Sequence, residues 1–162
     1  MPPQAATVWI RKAKSEDSPG ILACLREAFE EFRERYTPEA FLDTVLTPKA
    51  LERRLETMSV FVAVNSCEQV VGTIAASVAS LAEGHLRGMA VLPAMRRAGI
   101  AAQLLGQAEA ELGQFRCARV TLDTTEPLLR AMRFYEKHGY RRSGKTKDFL
   151  GMLLIEYQKT LH

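Results

Sequence analysis

Cysteine is scarce in this chain. There are three in 162 residues, Cys24, Cys67 and Cys117. They are too few and too scattered for a disulfide framework, and none stands in a CxxC or Cys/His spacing suited to zinc, so no metal is expected. Long apolar runs are also missing: no segment approaches the roughly 18 consecutive apolar residues of a membrane span. Met1 to Trp9 has neither the basic stretch nor the apolar run of a leader. Charge of one sign is not in excess either. Twenty-two Lys and Arg against 19 Asp and Glu leave a formal +3, and the two signs are interspersed, which gives no electrostatic case for nucleic acid or membrane partners. Phosphate motifs of the common kinds are missing as well, with no G-K-[ST] and no G-x-G-x-x-G. What remains is a chain with 47% hydrophobic and 25% charged residues and no linker, internal repeat or low-complexity stretch. It is expected to form a single domain over residues 1–162, in a reducing cytoplasm.

The pattern of elements is richer. Val8 to Lys12 reads as a first strand, and Asp17 or Ser18 as the cap of a helix with Pro19 in its first turn. Ile21, Leu22, Leu25, Ala28, Phe29 and Phe32 recur at three- and four-residue spacing and mark that helix's apolar face. Glu31 and Arg35 are expected to pair at i, i+4 on its wet side. Thr37-Pro38 and Thr47-Pro48 predict a broken helical pair ending near Met58, beside the substrate. Val60 to Val64 and Val70 to Ser80 predict an antiparallel pair joined by Asn65-Ser66-Cys67-Glu68. Glu83-Gly84 reads as the next turn and His85 to Leu92 as the third strand of the meander, stopped by Pro93. Ile100, Leu104, Ala108 and Leu112 make the stripe of a long helix. Val120 to Thr124, a helix from Glu126 to His138 closed by Gly139, and two terminal strands complete an α/β domain with a mixed sheet.

One stretch carries chemistry. Between the strand ending at Leu92 and the helix starting near Ile100, the chain reads Pro93-Ala94-Met95-Arg96-Arg97-Ala98-Gly99-Ile100-Ala101. The first turn of a helix leaves amide donors unpaired and carries partial positive charge, which suits a phosphate. Arg96 and Arg97 oppose that dipole by about 0.3–1 kcal/mol each unless an anion lies between them. Gly99, with small Ala98 and Ala101, lets a pyrophosphate approach the backbone.

Arg96-Arg97-Ala98-Gly99-Ile100-Ala101 resembles the [QR]-x-x-G-x-[GA] signature of the GNAT acetyltransferase superfamily, and it follows a strand as that family requires. A second segment, Ala131-Met132-Arg133-Phe134-Tyr135-Glu136-Lys137-His138-Gly139-Tyr140, looks like the family's A-x-x-[FL]-Y-x-x-x-G-[FY]. The element order is similar too, so the likeness spans nearly the whole chain. It departs at Leu128, where many members carry Asn; Thr124 or Thr125 could supply a hydroxyl in its place.

The resemblance implies a GNAT-like fold, with a mixed, mainly antiparallel sheet between helices. It also implies direct attack of an acceptor amine on acetyl-coenzyme A, without an acetyl-enzyme. Met89, Ala90, Val91 and the residues from Arg96 through Arg97, Ala98, Gly99 and Ile100 to Ala101 are then the cofactor-binding set. Met89 to Val91 would aim backbone amides at the thioester carbonyl if that strand is splayed or bulged; the residues alone leave a regular strand equally open. An alkyl ammonium has a pKa of about 10.4, so a base must take its proton at neutral pH. Glu83, by a slight preference, or His85 fills that role, directly or through water. Tyr135 is the donor to the leaving sulfur. The acceptor is an amine-bearing small molecule, peptide or protein, and a homodimer stays open. The competing expectation is a noncatalytic acyl-coenzyme A-binding module of the same fold.

Overall fold

The computed structural model describes residues 7–161. Residues 1–6, which form most of the stretch read as leaderless, and residue 162 lie outside the described residues. Seven strands form one sheet: β1 (Trp9–Lys12), β2 (Ser59–Val64), β3 (Val70–Ser80), β4 (Glu83–Val91), β5 (Arg119–Thr125), β6 (Arg141–Phe149) and β7 (Met152–Thr160). Their spatial order is β1-β2-β3-β4-β5-β7-β6. Among the described residues only β4 and β5 pair in parallel; every other neighbour pair is antiparallel. A parallel pair needs a crossover, and the long helix α4 (Ile100–Gln114) provides it.

Five helices cover the sheet. On one face lie α1 (Ser18–Phe29), α2 (Pro38–Val45) and α3 (Pro48–Thr57), and on the other α4 and α5 (Leu129–Lys137). α1 forms because its apolar residues repeat at helical spacing. Ile21, Cys24, Leu25 and Ala28 are buried against Val60, Val62 and Ala75 of the sheet, and an Ile or Leu so buried contributes about 1.5–3 kcal/mol. Thr37 and Thr47 cap α2 and α3 as their sequence predicts, accepting hydrogen bonds from Ala40 N (3.2 Å) and Ala50 N (3.1 Å) ahead of a first-turn proline. Asp17 stands at the α1 cap position but does not cap. Its carboxylate instead takes Arg11 (2.7 Å) and the Lys14 amide (2.7 Å).

Several boundaries differ from expectation, each for a physical reason. The second turn is at Leu81 and Ala82, with Ala82 at φ 64, so Glu83 and Gly84 lie inside β4. The segment Glu30–Arg35 tightens into a 3-10 turn, which breaks the i, i+4 geometry expected for Glu31 and Arg35. The first terminal strand runs on through Lys145 to Asp148 as β6. Trp9 is 53% exposed, whereas Tyr36 and Phe41 are buried. No described helix is long and apolar enough to cross a membrane.

Candidate active site

The sheet parts at its middle. β4 and β5 pair only from Glu83 opposite Arg119 to Leu86 opposite Leu122; beyond that, residues 87–91 and 123–125 face each other without a ladder. A bulge lies at the same place. Ala75 pairs with Arg87 and Thr73 with Ala90, so β4 spends one residue more than β3 across this interval. Gly88 sits there at φ 61, the left-handed conformation of a glycine bulge. Past the bulge, Leu92 N donates to Val71 O (2.9 Å). Because donors alternate along a strand, the amides of Val91 and Met89 then face the open edge rather than β3.

The loop at the end of β4 exposes further donors. Gly99 begins α4 at φ 79, no side chain caps the helix, and its first turn holds no acid. The first intrahelical bond runs from Gln103 N to Gly99 O (3.2 Å), which leaves the amides of Ile100, Ala101 and Ala102 without intrahelical partners. A side-chain carbon built on Gly99 would meet nothing within 4 Å. Arg97, itself at φ 68, is exposed, while Ala98 packs on the core and Ile100 is buried. Arg96 is not idle: its guanidinium bonds to Glu31, and Arg130 of α5 stands 3.5 Å from the same carboxylate oxygen. Two cations from separate elements therefore share one exposed carboxylate at the mouth of the opening, a concentration of positive charge suited to an anion.

Strand alternation gives the opening two unlike faces. Toward α4 and α5 lie Leu86 and Leu122, both buried, in one cluster with Met132, Ile155 and Tyr135. Tyr135 is 7% exposed, its ring set against Tyr140 (centroids 5.7 Å) and Phe134 (5.4 Å). Burial pushes its phenol well above the usual range, so the proton stays on. Toward α1 to α3 lie Glu83, His85 and Arg87 of β4, with Thr121, Asp123 and Thr125 of β5 alongside. His85 Nδ1 and Thr121 Oγ1 are 2.8 Å apart, and His85 Nε2 is 3.8 Å from Asp123 Oδ2. Burial holds the His85 pKa below that of a free histidine. Asp123 and Glu156 work against this, while Arg87 and Lys147 reinforce it. Glu156 lies across from Asp123 on β7, and its Oε1 is buried without a hydrogen-bond partner among the described residues.

The structure thus brings His85 to the next-to-last paired position before the opening and leaves Glu83 two residues back, tied to Arg119 (2.9 Å). At the Leu128 departure, α5 has no side-chain cap. Thr125 Oγ1 is bonded to Tyr36 Oη (2.6 Å), and Thr124 Oγ1 is buried without a partner among the described residues. Asp123, Thr121 and Glu156 were not among the residues singled out from sequence. The signal was present in β5, where Val120 and Leu122 alternate with Thr121 and Asp123, which puts a carboxylate on one face of an interior strand.

The fold agrees with the comparisons with known proteins. The model of the Acetyltransferase (GNAT) family matches residues 21–140, and the chain belongs to that family; acetyl transfer is the class of chemistry this membership carries. Among solved structures, the chain is similar to the PaiA N-acetyltransferase of Thermoplasma acidophilum in complex with coenzyme A, at 16% identity and TM-score 0.80 over 96% of this chain and 99% of that one. The ribosomal-protein-S18-alanine N-acetyltransferase of Escherichia coli is similar at 17% identity and TM-score 0.74, over 95% and 94%. A GNAT-family acetyltransferase of Staphylococcus aureus Mu50 gives 18% and 0.80, over 96% and 100%. At these identities the likeness shows the fold. No curated protein sequence matches.

Proposed function

We propose that this chain is an acetyl-coenzyme A-dependent N-acetyltransferase that acetylates a primary amine by direct transfer, with both substrates bound at once. The observation that carries this reading is the opening between β4 and β5, with a histidine–carboxylate pair on one face and a protonated buried phenol on the other. Acetyl-coenzyme A supplies the acetyl group as a thioester. The amides of residues 100–102, with Arg96, Arg97 and Arg130, bind its phosphates, and Gly99 with Ala98 and Ala101 keeps the approach clear. The amides of Met89 and Val91 on the open edge, with Ala90 between them, hold the acyl carbonyl and donate to the charge that develops on its oxygen.

His85 takes the proton from the acceptor ammonium. A base is needed because an alkyl amine at neutral pH is almost wholly protonated. Its depressed pKa leaves it neutral and ready to accept at pH 7, and Asp123 stabilises the imidazolium that results. Glu83 is less suited, because Arg119 already holds its carboxylate away from the opening. Tyr135 holds a proton at Oη on the dry face, where the departing sulfur, a thiolate of ordinary pKa about 8.5, gains from a donor. The acceptor enters from the α1 to α3 side, on a small molecule, peptide or protein, in the cytoplasm.

The test is thiol release from acetyl-coenzyme A across an amine panel, beside calorimetry of coenzyme A binding. Turnover with at least one amine supports the enzyme. Binding without turnover across a broad panel would favour the noncatalytic acyl-coenzyme A-binding module instead.

A further inference from the structure

One guanidinium on the acceptor face makes no ion pair among the described residues. Arg54 projects from α3, and its guanidinium lies against Gly88 in the β4 bulge. It lies so close that a side-chain carbon on Gly88 would collide with Nη1 and stand 3.6 Å from Cζ. Among the described residues the Arg54 guanidinium makes neither a hydrogen bond nor an ion pair, although the residue is only part-exposed. Burial, reinforced by the neighbouring charge of Arg87, brings its pKa down to about 10, which Asp43 only partly offsets. A partly buried guanidinium without a partner carries a desolvation cost that nothing in the fold offsets in full. Arg87 stands beside it, half-exposed and held only loosely by Asp43 at 3.9 Å. Both guanidiniums border the face where His85 sits, and Arg87 is two residues along β4 from His85, about 7 Å on one side of a strand.

We infer that Arg54, with Arg87, is the receptor for a carboxylate carried by the acceptor, so that the substrate class is a small amino-carboxylate, either a free amino acid or the C-terminal end of a short peptide. The inference rests on the acetyltransferase reading and adds the acceptor's second anchor to it. The acceptor's amine lies toward His85 and Asp123, its carboxylate toward α3 and the bulge, and one small zwitterion spans the two. Gly88 gains a second role here. A side chain at that position would expel the guanidinium from the strand, so the residue that shapes the bulge also makes room for the anion receptor. A guanidinium suits the task because its planar fork binds a carboxylate through two parallel hydrogen bonds.

The experiment compares matched acceptors with the full chain and acetyl-coenzyme A: β-alanine, lysine and dialanine, each against its C-terminal amide, and the first two also against ethylamine and cadaverine. The wild-type protein is expected to show kcat/KM at least about tenfold higher for a carboxylate-bearing acceptor than for its amide. The free amino acids and dialanine identify which source of the carboxylate is preferred. Arg54→Met should bring that ratio close to one, with Arg54→Lys intermediate. Coenzyme A affinity, measured by calorimetry, should stay within about twofold as proof that the variants are folded. Amides that react as well as the acids, or a ratio that survives Arg54→Met, overturn the inference. Thiol release with none of the carboxylate-bearing amines overturns it too, while intact coenzyme A binding and turnover of other amines would leave the acetyltransferase reading standing. Failure to bind coenzyme A sinks both.

Discussion

The two faces of the β4–β5 junction are built from the same two strands and could hardly differ more. Toward α4 and α5 they present Leu86 and Leu122 to a buried tyrosine; toward α1 to α3 they present His85, Thr121 and Asp123, ringed by Arg87, Lys147 and Glu156. A period of two residues is enough to produce this, since successive side chains of a strand point to opposite sides. The lesson is that one gap in a sheet can join a dry compartment to a charged one. Proton removal from an ammonium needs the second. A phenol is already protonated at neutral pH, and burial in the first raises its pKa further.

That contrast can be broken from either side. The largest effect is expected at the charged face, where His85→Ala should lower kcat by about 10²–10⁴-fold with little change in coenzyme A affinity, as read by steady-state kinetics and calorimetry. At the dry face, Tyr135→Phe should lower kcat by about 10- to 100-fold. Thermal unfolding should not shift downward in this variant, because the hydroxyl it removes has no partner among the described residues. At the mouth, Gly99→Glu should weaken coenzyme A binding by about tenfold. The new side chain has open space, so it acts through repulsion of phosphate and through backbone strain at φ 79. The smallest effect sharpens the comparison by pH. His85 accepts a proton only when neutral and its pKa lies below the usual 6.5, so the acid limb of kcat/KM should fall below that value. Asp123→Asn removes an influence that raises the His85 pKa and should move the limb lower. Lys147→Gln removes one that lowers it and should move the limb higher.

Much of this architecture is visible in the chain itself. The α1 face, the two threonine caps, the Asn65 hairpin, the α4 stripe and the Gly139 stop all follow from local rules that the structure obeys. What escapes is set by partners distant in sequence. Glu31 does not bond Arg35, because the helix tightens to a 3-10 turn and Arg96 and Arg130 arrive from elsewhere. Glu83 looks free until Arg119 is seen opposite it, and His85 gains Asp123 only through the parallel pairing of β4 with β5. The bulge had a mark after all, since Gly88 interrupts an otherwise regular strand, and a glycine inside a strand often signals a bulge. Arg54 carries no mark, because its isolation is a property of packing alone.

A crystal structure with bound coenzyme A would probe the central claim most directly. The sulfur should lie in the gap beyond Leu86 and Leu122, between the open edge of β4 and Tyr135, with the pyrophosphate on the amides that begin α4 and Arg96 released from Glu31. Coenzyme A bound elsewhere, or β4 and β5 zipped together through Val91 with the ligand present, would contradict the account.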